Sequence, residues 1–122
     1  MADIVIYHNP KCSSSRNALA LIREHGHEPT IVEYLKTPPT ASEVMSLVQR
    51  LGCGLRGVLR QKGTPYDELG LDHSKWSDEE LLAFMAQHPI LLQRPIVATS
   101  RGVRICRPPE TVLEILPPKG AA

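Results

Sequence analysis

A strand pattern, a proline turn and a helix pattern follow one another directly at the start of this sequence. An apolar run over residues 3–7 predicts a β-strand, and apolar residues then recur at helical spacing over about residues 14–25, where a glycine ends the pattern. A second strand pattern occupies residues 30–34. This order predicts two parallel strands joined by a crossover helix, which constrains the chain to an α/β fold.

The centre of the chain is dominated by helix signals. Thr40 followed by Glu43, and Ser77 followed by Glu80, are capping boxes, in which the two side chains bond each other's backbone N–H groups at a helix start. Each capping box precedes apolar residues at helical spacing. A further short helix is predicted over residues 54–62.

Two more strand patterns lie near the end of the chain. Residues 96–99 and 103–106 are separated by a Ser-Arg-Gly turn, which predicts a β-hairpin. A last helix is predicted after Arg107, where a pair of prolines suits a helix start. The tail from Pro117 onward is expected to fray.

The order of these elements defines the predicted fold class. A β-α-β unit, a helical segment and a β-β-α unit form the layout of a thioredoxin-like mixed sheet, with the helices of about residues 40–90 as an insertion. A chain of 122 residues is a single-domain length, so residues 1–122 are predicted to form one domain. Ligands bind at the carboxyl ends of strands in such sheets, which directs attention to the end of the first strand.

Cys12 lies at that strand end, directly before the first helix, for which Ser13 or Ser14 is the expected N-cap. Unpaired N–H groups and the positive end of a helix dipole favour a thiolate, and such settings lower a cysteine pKa from about 8.5 to roughly 3.5–7.5. His8 is close enough in sequence to add positive charge. A lysine, a proline and three serines surround the thiol, which fits a buried apolar role poorly. Together with Ser15 it forms a C-x-x-S pattern, which resembles a redox C-x-x-C motif without the second thiol.

Charge and cysteine content exclude several function classes. The net charge of +1 gives no electrostatic basis for binding nucleic acid or an anionic membrane. No apolar segment approaches the roughly 20 residues that span a bilayer. An odd number of cysteines (Cys12, Cys53 and Cys106) without a secretion signal indicates free thiols in a reducing, cytoplasmic setting. No cysteine, histidine and carboxylate spacing matches a metal site, so no metal or bound cofactor is expected.

Several separate motifs follow one another in an order typical of one known family. They are Tyr7-His8-Asn9-Pro10-Lys11-Cys12, Ser15-Arg16-Asn17, Leu59-Arg60, Pro65-Tyr66-Asp67-Glu68-Leu69-Gly70-Leu71, Gln87-His88-Pro89-Ile90-Leu91, Arg94-Pro95-Ile96-Val97 and Cys106-Arg107-Pro108. In combination they resemble the glutaredoxin-coupled arsenate reductases, small thioredoxin-fold enzymes that reduce arsenate to arsenite. The resemblance covers nearly the whole chain.

The resemblance implies a site and a set of reactants. The implied residues are Cys12 as nucleophile, Arg60, Arg94 and Arg107 as oxyanion clamp, and His8 and Ser15 as supporting residues that favour the thiolate and bond its sulfur. Arginine suits the clamp because its planar guanidinium bonds two oxygens and stays charged. Glutathione is implied as co-substrate. Glutaredoxin is implied as the partner that resolves a mixed disulfide, which a serine cannot do.

The resemblance also makes a prediction about the backbone. It places Pro95 at the start of a strand that faces the thiol, where thioredoxin-like folds have a cis proline. An X–Pro bond adopts the cis form at a cost of only about 0.5–1 kcal/mol. The Arg94–Pro95 peptide is therefore predicted to be cis. At one point the chain departs from well-studied members, which tend to have Gly-Thr where it has Ser13-Ser14.

The arginines and Cys106 also have ordinary interpretations when taken singly. Arg60 complements the dipole of a presumed helix end, and Arg94 fits a solvated loop. Arg107 precedes a helix start, where a cation is unfavourable, so its individual case for a function is the strongest. Cys106 ends an apolar strand and is interpreted as a packed cysteine, with a resolving thiol next to Arg107 as the alternative.

Two other functions use part of the same pattern. A general glutathione-dependent thiol-disulfide reductase would use Cys12 on an organic disulfide, a substrate that needs no clamp of three arginines. A thioredoxin-fold redox regulator would bind a protein partner, but such proteins commonly carry C-x-x-C, and Ser15 replaces the second thiol here.

Overall fold

Four short strands form one mixed sheet in this computed structural model, which describes residues 4–117. The strands are β1 (Val5–His8), β2 (Thr30–Glu33), β3 (Ile96–Thr99) and β4 (Gly102–Ile105), in the spatial order β2-β1-β3-β4. The sequences of β2 and β3 are mostly Thr, Ile and Val, which favour extended backbone. β1 pairs with β2 in parallel and with β3 antiparallel, and β3 and β4 form the hairpin. The predicted α/β class with a mixed sheet is confirmed.

Helix α1 (Ser13–Glu24) connects β1 to β2 and begins one residue earlier than predicted. Its N-cap is Cys12, with φ −94° and ψ 124°, and neither of the two serines expected there takes this role. The Cys12 N–H closes a turn onto the Asn9 carbonyl, and the Cys12 carbonyl already accepts the N–H of Arg16. The helix therefore starts directly after the turn. Beyond its end, Gly26 has a positive φ of 85°, as the predicted stop requires.

One face of the sheet packs against α1 and a 3₁₀ helix, Pro109–Glu114. Alternation along β1 directs Ile6 to this face, and Ile6 is paired in register with Val97 of β3. The predicted last helix is thus present, but as a 3₁₀ helix of six residues, which is long for that conformation. The buried core here consists of Ile4, Ile6, Ala18, Ile22, Val97, Cys106, Val112, Ile115 and Leu116.

The hairpin is tighter than predicted and is flanked by two cis peptide bonds. Gly102 already pairs with Thr99, so only two residues form the turn. The Arg94–Pro95 peptide is cis, which confirms the prediction for Pro95. The Arg107–Pro108 peptide is also cis, which was not predicted.

The chain divides into two compact units, of which Pro38–Gln93 is one and the residues on either side of it form the other. The Pro38–Gln93 unit contains α2 (Ala41–Leu51) and α3 (Asp78–Gln87). Both predicted capping boxes are present, at Thr40 and at Ser77. The description of residues 1–122 as one domain with an insertion stays a prediction.

The prediction of a helix over residues 54–62 is wrong. Only a 3₁₀ turn, Leu55–Val58, forms there, followed by another 3₁₀ turn, Pro89–Leu91, after α3. The Arg60 N–H donates to the Leu91 carbonyl at 2.6 Å, and the Gln93 N–H donates to the Val58 carbonyl at 2.8 Å. Because these backbone groups bond a distant segment, they cannot continue a helix.

Some predictions concern residues outside the described range. Residue 3 of the first predicted strand and the tail from Pro118 onward lie outside residues 4–117. Pro117 itself is buried, and its carbonyl lies 2.8 Å from Nε2 of His27. Within the described residues, no helix combines the length and the apolar character needed to cross a membrane.

Candidate active site

A tight turn between β1 and α1 presents the Cys12 thiol. The Cys12 N–H donates to the Asn9 carbonyl at 3.0 Å, and the Lys11 N–H donates to Oδ1 of Asn9 at 3.0 Å. Pro10 occupies the second position of this turn, where its fixed φ is favoured. The turn leaves Cys12 half-buried at the N-terminus of α1.

Buried hydrogen bonds fix the turn to β1 and to α1. Oγ of Ser15 accepts the Asn9 N–H at 3.0 Å and lies 2.6 Å from Nδ1 of His8. Burial is the main effect and lowers the pKa of His8; the charge of Glu33 opposes this effect, and the charge of Arg16 adds to it. His8 is therefore a neutral partner of Ser15 at neutral pH, and it does not add the positive charge that its position in the sequence suggested.

Competing effects act on the Cys12 thiol. Partial burial is the largest and taken alone would raise its pKa, but several favourable contacts outweigh it. The backbone N–H of Ser15, the side chain of Arg94 and the backbone N–H of Ser14 hold the Cys12 pKa below its ordinary value. Ser15 thus contacts the sulfur through its backbone, while its hydroxyl is engaged with His8 and Asn9. The N–H groups of Ser14 and Ser15 at the start of α1 therefore favour the charged form of the sulfur.

The hairpin brings Arg94 and Arg107 together beside this thiol. Ile96 pairs with Ile105, so the residues just outside the two strands lie side by side. Nη1 of Arg107 lies 3.9 Å from Sγ of Cys12 and 3.4 Å from the Arg94 carbonyl. Nε and Nη1 of Arg94 are buried without a hydrogen-bond partner among residues 4–117. Buried guanidinium donors without a protein partner are suited to bind the oxygens of an anion.

Arg60, the third arginine of the predicted clamp, belongs to the Pro38–Gln93 unit. Its Nε donates to the Lys62 carbonyl at 3.0 Å. Its membership of the site stays a prediction. The described part of the chain holds no group of three or more histidine, cysteine or acidic side chains placed to bind a metal ion.

The other two cysteines differ from Cys12 in their surroundings. Cys106 is buried in the core next to β4, as expected for a packed cysteine. Burial, with a smaller contribution from Glu114, raises the Cys106 pKa to about 12 and keeps that thiol protonated. Cys53 is exposed, and its thiol lies 3.3 Å from the Gly54 carbonyl oxygen. All three are free thiols.

Asn9 is the residue that the sequence reasoning missed. It is buried, with 6% of its surface exposed, and bonds Lys11, Cys12 and Ser15. The signal was present in the Asn-Pro pair, because Asn is favoured at the first position of a turn that has Pro at the second.

The arrangement combines a nucleophile with two cations. Cys12 supplies a thiol whose pKa is held below its ordinary value, and Arg94 and Arg107 supply planar, permanently charged donors within reach of the sulfur. A thiolate approaches an anionic centre only when the charge of that centre is neutralised. The geometry thus suits nucleophilic attack on an oxyanion.

Comparisons with known proteins identify a matching family and several similar proteins. The model of the ArsC family matches residues 7–115. The arsenate reductase of Escherichia coli (strain K12) is 55% identical over 117 residues, which cover 96% of this chain and 83% of that protein. The arsenate reductase of Rhizobium meliloti (strain 1021) is 54% identical over 114 residues, covering 93% of this chain and 81% of that protein. The solved structure of an arsenate reductase from Vibrio cholerae has a TM-score of 0.89 and 49% identity, covering 93% of this chain and 98% of that one.

Proposed function

The chain belongs to the ArsC family, and we propose that it reduces arsenate to arsenite with Cys12 as the nucleophile. One observation carries the proposal: a thiol with a lowered pKa lies beside the guanidinium groups of Arg94 and Arg107. Thiol-disulfide exchange needs the thiolate, but the disulfide bond it attacks has no negatively charged oxygens for two arginines to bind. A substrate with several negatively charged oxygens gains from both.

The arginines bind and orient the substrate in this proposal. The buried Nε and Nη1 of Arg94 donate to two arsenate oxygens, and Arg107 donates from the exposed side of the thiol. Arg60 completes the clamp, as its match to the family motif implies. Because the guanidinium groups stay charged at all relevant pH values, they neutralise the substrate while the cysteine is a thiolate.

The reaction then proceeds in three steps. The Cys12 thiolate attacks arsenic(V), an As–S bond forms, and one arsenic oxygen leaves as water after protonation. Glutathione adds to this intermediate and forms a disulfide with Cys12; the two sulfurs give up the two electrons that reduce arsenic to arsenic(III), which leaves as arsenite. Glutaredoxin finally takes the glutathione from Cys12 and restores the thiol.

An external thiol is required because the site has no second cysteine of its own. Ser15 occupies the position of a resolving thiol in the C-x-x-S pattern, and Cys106 is held protonated in the core. Glutathione as co-substrate and glutaredoxin as partner meet this need. We place the reaction in the cytoplasm, where glutathione keeps thiols reduced and where three free cysteines are stable.

A coupled assay tests the proposed function. Glutathione, glutaredoxin and glutathione reductase are mixed with the protein, and NADPH oxidation is followed with and without arsenate. We expect arsenate-dependent oxidation by the wild type and by Cys53→Ser, and none by Cys12→Ser. Wild-type turnover of an organic glutathione disulfide without any response to arsenate would instead identify a general thiol-disulfide reductase.

A further inference from the structure

Asn9 makes three hydrogen bonds in and beside the turn that presents the Cys12 thiol. It is buried at 6% exposure, and three of its groups are engaged. The side-chain Oδ1 accepts the Lys11 N–H at 3.0 Å, the carbonyl accepts the Cys12 N–H at 3.0 Å, and the N–H donates to Oγ of Ser15 at 3.0 Å. Lys11 and Cys12, the two residues after the proline, are therefore both hydrogen-bonded to Asn9.

We propose that Asn9 is a positioning residue that holds the Cys12 sulfur in front of the first N–H groups of α1. It acts through the turn and does not touch the reacting atoms. The bond from Lys11 to Oδ1 closes an Asx turn inside the wider turn that ends at Cys12. Both closures fix the backbone of Cys12 as the N-cap of α1.

The position of the sulfur matters because the stabilisation of the thiolate is short-ranged. The N–H groups of Ser15 and Ser14 lower the Cys12 pKa only while they point at the sulfur. If the turn loosens, Cys12 samples other backbone angles and these contacts weaken, whereas the burial that raises the pKa remains. Removal of Oδ1 at position 9 therefore makes the thiol less acidic as well as less well oriented.

The expected shift in the Cys12 alkylation profile follows from the loss of one hydrogen-bond acceptor, the side-chain Oδ1 of Asn9. Asn9→Ala raises the midpoint of the pH profile of Cys12 alkylation by roughly half to one pH unit, the shift that corresponds to one weakened hydrogen bond to the charged form. Asn9→Ser reverses most of this shift, because a serine oxygen accepts the N–H two residues on without adding charge. Asn17→Ala removes the other asparagine of the chain from the exposed surface of α1 and leaves the midpoint unchanged.

The experiment measures iodoacetamide alkylation of Cys12 against pH by peptide mass spectrometry, together with the melting temperature and arsenate turnover of each variant. If Asn9→Ala does not fold, Asn9→Gly takes its place, since glycine fits the turn and also lacks the acceptor. We also expect kcat/KM for arsenate to fall about fivefold to tenfold in Asn9→Ala.

Only the turnover measurement rests on the proposed function. The alkylation profiles test the role of Asn9 separately. An unchanged alkylation midpoint in Asn9→Ala, or a shift in Asn9→Ser as large as in Asn9→Ala, overturns the role of Asn9. A wild type that never reduces arsenate overturns the proposed function, while the alkylation profiles still support or refute the role of Asn9.

Discussion

At Cys12, burial and local hydrogen bonds act on the thiol in opposite directions. Burial favours the neutral form, and the N–H groups of α1 and the guanidinium of Arg94 favour the charged form. The net result is a lowered pKa, which raises the thiolate fraction at neutral pH. The same chain contains the reverse case in Cys106, where burial prevails and the pKa reaches about 12.

This contrast predicts an order of reactivity. Cys12 is alkylated by iodoacetamide at pH 6 faster than Cys53 and Cys106, because the thiolate is the nucleophile and a lowered pKa increases the thiolate fraction. As pH rises, the rate at Cys12 passes its midpoint at a lower pH than an ordinary cysteine thiol does. Peptide mass spectrometry of all three cysteines measures this. Faster labelling of the exposed Cys53 at pH 6 would contradict the assignment.

Arg107 is expected to contribute mainly to substrate binding and less to the lowering of the Cys12 pKa. The lowered Cys12 pKa has identified contributions from Ser15, Arg94 and Ser14, whereas Nη1 of Arg107 lies 3.9 Å from the sulfur. Arg107→Ala therefore removes arsenate turnover and leaves Cys12 alkylatable, and Arg107→Lys restores it only partly because lysine lacks the planar fork. Arg101→Ala, at the far end of the hairpin, is the matched control. Full arsenate turnover in Arg107→Ala would rule out its role in the clamp.

Single residues could be predicted from the sequence where the signal is local. Cys12 was identified from its neighbours alone, since a strand end and a helix start adjoin it. The charge state of His8 could not be predicted, because it depends on burial that only the folded chain creates. Arg94 and Arg107 were identified through the family resemblance, and their contact arises from the pairing of β3 with β4.

At the scale of the elements, the helix starts are set by capping. Thr40 and Ser77 each accept the N–H of the glutamate three residues on, and each glutamate bonds back. These contacts span three residues of sequence, so they were predicted correctly. The helix over 54–62 was predicted wrongly because hydrogen bonds to residues 91 and 93 set the backbone conformation of this segment. Contacts with residues so far along the chain have no signature in the local sequence.

Removal of a capping box tests this local origin. Thr40→Ala lowers the free energy of unfolding by about 1 kcal/mol, since it leaves a helix N–H without its side-chain acceptor. Thr37→Ala, an exposed threonine just before α2, changes stability by less than about 0.5 kcal/mol. Urea unfolding measures both variants. Equal destabilisation by the two would show that the capping box contributes nothing specific.

On the scale of the whole molecule, the sheet joins residues that are far apart in sequence. β1 carries the turn with Cys12, and β3 pairs beside it and begins just after Arg94. Element order predicted the strands and their class, because parallel β-α-β units and hairpins follow from local patterns. A single domain with an insertion over about residues 40–90 was predicted, and the division into two compact units at Pro38 and Gln93 depends on contacts between residues far apart in sequence.

The most direct test of the proposed reaction identifies the group that is covalently bound to the Cys12 sulfur after a single turnover. Wild-type protein is incubated with arsenate and glutathione in the absence of glutaredoxin, and the products are analysed by intact-protein and peptide mass spectrometry with arsenite quantified in parallel. We predict that glutathione accumulates on Cys12 alone, only when arsenate is present, with an equal amount of arsenite released. Arsenite release by Cys12→Ser, or glutathione on Cys12 at the same rate without arsenate, would contradict the account.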